Sequence, residues 1–242
     1  MGLAMNDAKP RTLEEHGRLW GARARDWADA GCGAGMAAEI AAARGAEVSG
    51  IDAAEAMLSI ARSRVPGGDF RQGDLEDLPF APESFDVVTG FNSFQYAGNP
   101  VAALREAGRV ARRRGFVVIM AFGDPDGMEV AALLTMLRPL LPPPPPDAPG
   151  PFALSDVTAL RRFATDAGLQ PVDVFDVDSP WIYADEAAAL RGLTSTGNAV
   201  RAMEHVSEDL VTEAYAKAIA AFRQPDGSVR ASAWFRCLLA RP

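Results

Sequence analysis

The segment DAGCGAG, residues 29–35, constrains the fold of this 242-residue chain more than any other feature. Its glycines Gly31, Gly33 and Gly35 alternate with small residues, and a helix-forming run follows them. A glycine-rich turn between a strand and a helix lets the backbone approach a ligand closely, and the amides at the helix start favour a negative group. The third glycine comes one position earlier than in the dinucleotide fingerprint G-x-G-x-x-G. The motif alone is weak evidence, because a tight turn without any ligand also fits it.

Strand-like and helical runs alternate after this loop. Four runs have the composition of strands, over residues 47–52, 69–74, 85–92 and 116–123. Three runs between and before them have helical patterns, over residues 36–44, 54–65 and 100–111. Buried parallel strands are continuously apolar and are joined by helices, so this order predicts an α/β fold with a doubly wound, mostly parallel sheet.

Two long insertions interrupt this alternation beyond Gly123. The first, residues 124–154, has a helical run over 128–140 and then a proline-rich connection that excludes a helix or a central strand. The second, residues 182–224, is mostly helical and has an amphipathic stripe. We predict that both insertions act as lids over a site. Alternatively, the amphipathic stripe packs against the sheet or forms the interface of a homodimer.

The remaining segments complete the predicted domain organisation. A helix over 155–167 precedes a strand over 171–181, and the chain ends in a strand that starts near residue 228. Residues 12–30 have a polar helical pattern, and residues 1–30 are predicted to form an N-terminal helical cover. We therefore predict one main domain over residues 31–242.

Composition and charge narrow the range of partners. The chain carries 24 Lys and Arg against 32 Asp and Glu, a formal charge of −8, which argues against a nucleic-acid partner. Its longest apolar run is too short for a bilayer span, and its first residues have no long apolar region, so we predict a cytoplasmic protein without a membrane partner. Two cysteines make neither a disulfide framework nor a metal cluster, and no metal is predicted.

Two aspartates end successive predicted strands. Asp52 ends the strand that follows the glycine loop, where an acid can accept hydrogen bonds from both ribose hydroxyls. Asp74 ends the next strand and could accept a hydrogen bond from an exocyclic adenine amine, with the Leu75 amide beside it. Neither acid is strong evidence alone, because a solvated turn aspartate is always an alternative. In this order, however, they describe an adenosine site at the carboxyl ends of parallel strands.

Four segments of the chain resemble those of a known protein family. The segments DAGCGAG, VSGIDAAEAML, GDLEDLPFAPESFDVVTGFNSFQY and ALREAGRVARRRGFVVIMAF cover Asp29 to Phe122, and their order and spacing are similar to those of the class I S-adenosylmethionine-dependent methyltransferases of the broad small-molecule type, type 11 in particular. The resemblance implies a Rossmann-like methyltransferase fold with an antiparallel last strand. It also implies S-adenosyl-L-methionine as the cofactor.

The resemblance implies roles for individual residues. Gly31, Cys32 and Gly33 would pass under the methionine portion of the cofactor, and Asp52 would hold the ribose. Ala53 and Met57 would flank the adenine, and Asp74 and Leu75 would hydrogen-bond to its edge. For Met57, packing in the core is the alternative. The amino-acid tail and the reactive methyl would lie near Asn92, Ser93 and Gln95.

The expected activity is methyl transfer to a small-molecule acceptor by in-line displacement, mainly through positioning. Tyr96 and Tyr183 are candidates for the substrate pocket. The catalytic residues are unknown, with His205 as a weak candidate and His16 a weaker one. One alternative function is a non-catalytic adenosine-cofactor-binding protein. Another is an NAD(P)-dependent oxidoreductase, although the early position of the third glycine argues against it.

The sequence departs from the family pattern in two places. The family has an apolar strand directly before the glycine loop, whereas Trp27 and Ala28 belong to a run, Thr12 to Ala30, that reads as a polar helix. A sheet without its central strand would expose the edges of its neighbours. We therefore predict that a strand-containing segment is missing between about Asp29 and Gly31. The run ARRRG before Phe116 stands where the family often has a proline-glycine pair, and this departure concerns only the turn before that strand.

Overall fold

A computed structural model describes residues 24–143 and 150–242 of the chain. Its strands are β1 (Asp26–Ala30), β2 (Glu47–Asp52), β3 (Asp69–Gln72), β4 (Phe85–Phe91), β5 (Ala111–Phe122), β6 (Gln170–Asp178), β7 (Trp181–Tyr183), β8 (Val229–Ala231) and β9 (Trp234–Arg241). Its helices are α1 (Met36–Ala42), α2 (Glu55–Arg64), α3 (Pro100–Val110), α4 (Glu129–Thr135), α5 (Val157–Asp166), α6 (Glu186–Thr194), α7 (Gly197–Met203) and α8 (Glu208–Ile219). Short 3-10 turns cover Phe94–Tyr96, Arg138–Leu140 and Ala220–Phe222.

Seven strands form one sheet in the order β3-β2-β1-β4-β5-β9-β6. β1 to β5 pair in parallel, and β9 pairs antiparallel with β5. Apolar residues of α1 and α2 form one buried cluster with the sheet, and apolar residues of α3 and α5 form another. The predicted α/β fold with a doubly wound, mostly parallel sheet and an antiparallel last strand is confirmed.

The central strand that we predicted to be missing is present as β1. It pairs in parallel with β2 on one side and with β4 on the other. Trp27, Ala28 and Ala30 are buried in it. The prediction of a helix through Ala30 was wrong, and so was the prediction of a missing segment. Alanines favour helices locally, but two neighbouring strands supply hydrogen-bonding partners and burial, and this tertiary context outweighs local propensity.

An ion cluster fixes the start of β1 against its neighbours. Arg112 in β5 contacts the carboxylates of Asp26 at 2.8 Å and Asp86 at 2.6 Å. Asp86 Oδ2 also accepts the backbone N–H groups of Arg25 and Asp26 at 3.0 and 3.1 Å. Partial burial raises the pKa of Asp86, but the hydrogen bonds from Arg112 and from these two amides outweigh it and hold the pKa below its usual value.

The run ARRRG, read from the sequence as the turn before a strand at Phe116, is part of β5. β5 begins at Ala111, directly after α3, and its register with β4 shifts between Phe85 and Val87. Gly115 lies at this irregularity, where an added Cβ would stand 2.7 Å from the carbonyl oxygen of Asp86. A glycine at this position lets the two backbones approach closely while the strand continues.

The described chain divides into two compact units. The first contains the chain up to Gly123, Ala153–Val177 and Phe235–Pro242, and so holds almost all of the seven-stranded sheet. The second contains Asp124–Phe152 and Asp178–Trp234, with α4, α6, α7, α8 and the antiparallel pair β7 and β8. The strand predicted over residues 171–181 is two strands, β6 and β7. The strand predicted from about residue 228 to the end of the chain is also two strands, β8 and β9. The role of the insertions as lids stays a prediction, and the proposed cover by residues 1–23 lies outside the described residues.

Candidate functional site

The glycine loop turns directly from β1 into α1. Gly31, Gly33 and Gly35 have φ values of 77°, 50° and 76°, in the left-handed region that favours glycine. The amides of Gly31 and Cys32 both donate to the carbonyl of Ile51, at 2.8 and 2.9 Å, so the end of β2 holds the turn. A Cβ on Gly31 would lie only 2.4 Å from Ser93 Cβ, so glycine is also required there by the close approach of the segment after β4.

Asp52 is half-buried at the end of β2 and is oriented by backbone on both sides. Its Oδ2 accepts the N–H of Gly33 at 2.8 Å, and its Oδ1 accepts the N–H of Ala54 at 2.9 Å. A carboxylate oxygen has more than one acceptor position, so each oxygen keeps capacity for a ligand hydroxyl. This preorganised carboxylate has the chemistry that a vicinal diol requires.

Asp74 follows the end of β3 and is exposed. Its Oδ1 accepts the N–H of Glu76 at 2.9 Å, which fixes the turn that carries Leu75. Gln72, the last residue of β3, donates from its side chain to the carbonyl of Ala53 at 2.9 Å. Asp74 and Ala53 are thereby held on adjacent strand ends.

Polar residues also follow the end of β4. Asn92 has φ 52°, so the chain bends sharply there. Ser93 Oγ donates to the carbonyl of Ala30 at 2.6 Å and fixes the bend to the end of β1. Gln95 is buried, donates to Asn92 Oδ1 at 3.3 Å, and has no hydrogen-bonding partner at its Oε1. Tyr96 is exposed and follows it in the 3-10 turn.

These strand ends surround one cleft of about 620 Å³ within the first unit. This volume lies in the range of small-molecule and cofactor sites, roughly 300–1,000 Å³. The predicted residues that line it are Gly31, Asp52, Ala53, Asp74, Leu75, Asn92, Ser93 and Tyr96. The two carboxylates and the glycine loop therefore share a single cleft.

Other predicted residues do not line this cleft. Cys32 is buried, and burial together with the charge of Asp29 raises the pKa of its thiol to about 12, so the thiol stays protonated. Gly33 donates its amide to Asp52 in the cleft, and Gln95 is buried. Met57 is 45% exposed on α2, so packing in the core does not explain it.

Two predicted residues belong to the second unit. Tyr183 in β7 is half-buried close to Gly192 of α6, where an added Cβ would stand 2.8 Å from its ring. Burial raises the pKa of the Tyr183 phenol, and the neighbouring Tyr215 adds to the effect. His205 is exposed after α7. Their roles in substrate binding and catalysis stay predictions.

Asp29 is a buried acid beneath the glycine loop that the sequence reasoning left out of the site. It is only 4% exposed, and its Oδ1 accepts the Thr89 hydroxyl at 2.7 Å. Trp27 Nε1 donates to the same hydroxyl at 3.0 Å, which orients it. Burial raises the pKa of Asp29 to about 6, the Thr89 hydrogen bond opposes this, and the charge of Asp52 adds to it. Asp29 was omitted because β1 had not been recognised as a strand.

The sequence reasoning also missed four residues that line the cleft: Gln72, Gly73, Ala97 and Gly98. Gln72 and Gly73 come directly before Asp74 at the end of β3, so the strand-end argument that selected Asp74 could have found them. Ala97 and Gly98 have no chemical signal, because their position depends on the 3-10 turn after β4.

Within residues 24–143 and 150–242, every helix is too short or too polar to cross a bilayer. Over the same residues, no group of three or more His, Cys, Asp or Glu side chains is arranged to hold a metal ion.

The family model described as a methyltransferase domain matches residues 28–119, the part of the chain that contains β1 to β4, most of β5 and the cleft. This part of the chain is therefore similar to a methyltransferase domain. The match begins within β1, in agreement with that strand being the first of the domain's sheet.

Curated proteins similar to this chain include two methyltransferases. The chain is 35% identical over 118 residues to a ubiquinone biosynthesis O-methyltransferase of Stutzerimonas stutzeri, covering 47% of this chain and 50% of that one. It is 38% identical over 80 residues to a demethylmenaquinone methyltransferase of Thermotoga maritima, covering 33% of this chain and 35% of that one. The chain thus matches half or less of the length of these curated relatives.

The fold of the methyltransferase domain also occurs in solved structures. The YcgJ protein of Bacillus subtilis superposes with a TM-score of 0.58 at 22% identity, covering 90% of this chain and 91% of that one. At this level of identity the similarity shows the fold alone.

Proposed function

We propose that this protein transfers a methyl group from S-adenosyl-L-methionine to a small-molecule acceptor. The observation that carries the proposal is that Asp52, Asp74 and the glycine loop line one cleft at the carboxyl ends of the parallel strands. In open α/β sheets, ligands bind at this edge, where neighbouring strands lead to helices on opposite faces. The methyltransferase-domain match and the methyltransferase relatives support the same activity.

The side chains present suit an adenosine-containing cofactor. Asp52 would hold the ribose, because its two oxygens are fixed by the amides of Gly33 and Ala54 and keep acceptor capacity. Asp74 and the Leu75 amide would bind the adenine edge from the neighbouring strand end. The bend at Asn92 and Ser93 would lie beside the amino-acid end, next to Gly31.

The chain's contribution to catalysis is then mainly positioning. When bound, S-adenosyl-L-methionine supplies a methyl group already activated by its sulfonium. The protein must hold the acceptor in line with this methyl and exclude water. The insertions predicted to act as lids, residues 124–154 and 182–224, would exclude water and select acceptors.

Tyr96 would contact the acceptor rather than act as a general base. It lines the cleft, and burial of its hydroxyl raises the pKa of the phenol, while a hydrogen bond with Gln95 opposes the shift. The phenol therefore stays protonated at neutral pH and can donate a hydrogen bond. His205 stays a weak candidate for a base.

The acceptor class that the relatives suggest is a quinone-type ring. Both named relatives are quinone-pathway enzymes by their names. An aromatic ring would find an exposed tyrosine ring at the mouth of the cleft, in Tyr96.

Calorimetry with S-adenosylmethionine, S-adenosylhomocysteine and NAD, followed by a methyl-release assay over candidate acceptors, tests the proposal. Binding of both sulfur compounds and methyl release are expected. Binding without turnover over a broad acceptor set would favour a non-catalytic adenosine-cofactor-binding protein. Binding of NAD alone would favour an oxidoreductase and would refute the methyltransferase proposal.

A further inference from the structure

The cleft of the first unit has two walls that belong to different segments. One wall is the end of β3 and the residues after it, Gln72 to Leu75. The other is the 3-10 turn after β4 and its exit, Tyr96 to Gly98. The distance between these walls sets what can enter, so any side chain that joins them affects the site.

Glu76 joins the two walls. Its side chain reaches from the segment after β3 to the exit of the 3-10 turn, where Oε1 accepts the N–H of Asn99 at 2.6 Å. Its own backbone N–H donates to Asp74 Oδ1 at 2.9 Å. One residue therefore orients the carboxylate on the first wall and holds the backbone of the second.

The surroundings favour this contact. Asn99 caps α3, with its Oδ1 accepting the N–H of Ala102 at 3.1 Å, so the Glu76 carboxylate lies at the positive end of an 11-residue helix. The absence of a side chain at Gly98 leaves room for the Glu76 carboxylate, because an added Cβ would stand 3.0 Å from Glu76 Oε1. A hydrogen bond from an amide to an ionised carboxylate is stronger than a bond between neutral groups.

We propose that Glu76 is a positioning residue that fixes the gap between the two walls and thereby sets the affinity for the adenosine portion of the cofactor. This inference rests on the proposed function, because it takes the cleft to be an adenosine site. Glu76 does not line the cleft and acts through Asp74 and Asn99.

Calorimetric binding of S-adenosylhomocysteine to the full chain tests the role in affinity. Glu76→Ala is expected to raise the Kd about tenfold, the size that loss of a hydrogen bond to a charged group gives. Glu76→Gln keeps an acceptor oxygen and is expected to recover most of the affinity. Asp77→Ala, which removes the same charge one residue later in the same segment, is the matched control and is expected to change the Kd less than twofold.

The Gly98→Ala variant gives an independent check. The added Cβ is expected to displace the Glu76 carboxylate and to weaken binding, but it should cost much less in a chain that already carries Glu76→Ala. Equal effects of Gly98→Ala in both backgrounds would show that the contact with Glu76 does not matter, and would overturn the proposal.

Amide hydrogen exchange of ligand-free protein gives a readout that does not depend on binding. The Asn99 amide is expected to exchange about tenfold faster in Glu76→Ala than in the wild-type chain. Unchanged exchange, or a folded Glu76→Ala variant with wild-type Kd, would overturn the positioning proposal and leave the proposed function intact. A wild-type chain that binds no adenosine compound would overturn both.

Discussion

At the scale of single residues, the acids Asp52 and Asp74 are the proposed ligand-binding groups of this chain. They were selected because each ends a strand predicted from the sequence, and both line the cleft. Asp29 could not be selected in the same way, because its strand was read as a helix. Its burial and its contact with Thr89 are tertiary features that a local pattern does not contain.

Replacing Asp52 tests the ribose contact. Asp52→Ala is expected to weaken S-adenosylhomocysteine binding by about 10- to 100-fold, because a charged acceptor of two hydroxyls is lost together with the anchor for the Gly33 amide. Calorimetry gives the Kd, and circular dichroism reports whether the fold is kept. The control is Asp69→Ala, which removes an acid at the first residue of β3. This variant is expected to bind S-adenosylhomocysteine with the wild-type Kd. Wild-type affinity in Asp52→Ala would contradict the assigned role.

Asp29 gives the fold a pH dependence of known sign. Its folded-state pKa of about 6 lies above the value of ~3.9 for an unfolded aspartate. The folded state therefore binds more protons between these values, and its free energy of unfolding falls as pH rises through that window, by up to about 3 kcal/mol from this group. Asp29→Asn keeps an acceptor for Thr89 but cannot ionise.

Chemical denaturation of the wild type and of Asp29→Asn between pH 4 and pH 8 measures this effect. The difference in unfolding free energy is expected to grow in favour of Asp29→Asn as pH rises and to level off above pH 7. A difference that is constant with pH would show that Asp29 does not titrate in this window.

At the scale of elements, most strands and helices of the first unit follow from sequence pattern. β2 was predicted with its observed ends, and α3 and β4 within one residue. β1 and the first part of β5 were missed for one physical reason. Both are rich in polar or alanine residues, and both become strands because neighbouring strands and the Arg112 ion cluster hold them.

Removing the Arg112 ion cluster should loosen β1. Arg112→Ala is expected to lower the free energy of unfolding by about 1 kcal/mol at neutral pH, a value reduced for partial exposure of the pair. Arg113→Ala, which removes a more exposed arginine that contacts Glu83, is the control and should cost less than about 0.5 kcal/mol.

The pH dependence of this difference has a definite direction. The pKa of Asp86 is lowered in the folded state, so its stabilisation is present above the unfolded pKa and is lost as pH falls through the folded value. The gap between Arg112→Ala and the wild type should therefore shrink in acid. A gap that widens in acid would contradict the cluster as described.

At the scale of the whole molecule, the first unit holds almost all of the seven-stranded sheet, and the second is assembled from two separate stretches of chain. The sequence predicted one main domain over residues 31–242 with insertions at about 124–154 and 182–224, and the second unit overlaps both insertions. It did not predict the pairing of β7 with β8, because three-residue strands have too short a pattern to read.

The most direct test of the central claim is a crystal structure of the chain grown with S-adenosylhomocysteine. The account predicts one nucleoside in the cleft of the first unit, with its ribose hydroxyls on Asp52, its adenine edge at Asp74 and Leu75, and its amino-acid end beside Gly31. A nucleoside bound elsewhere, or bound in this cleft with Asp52 and Asp74 both turned away from it, would contradict the account.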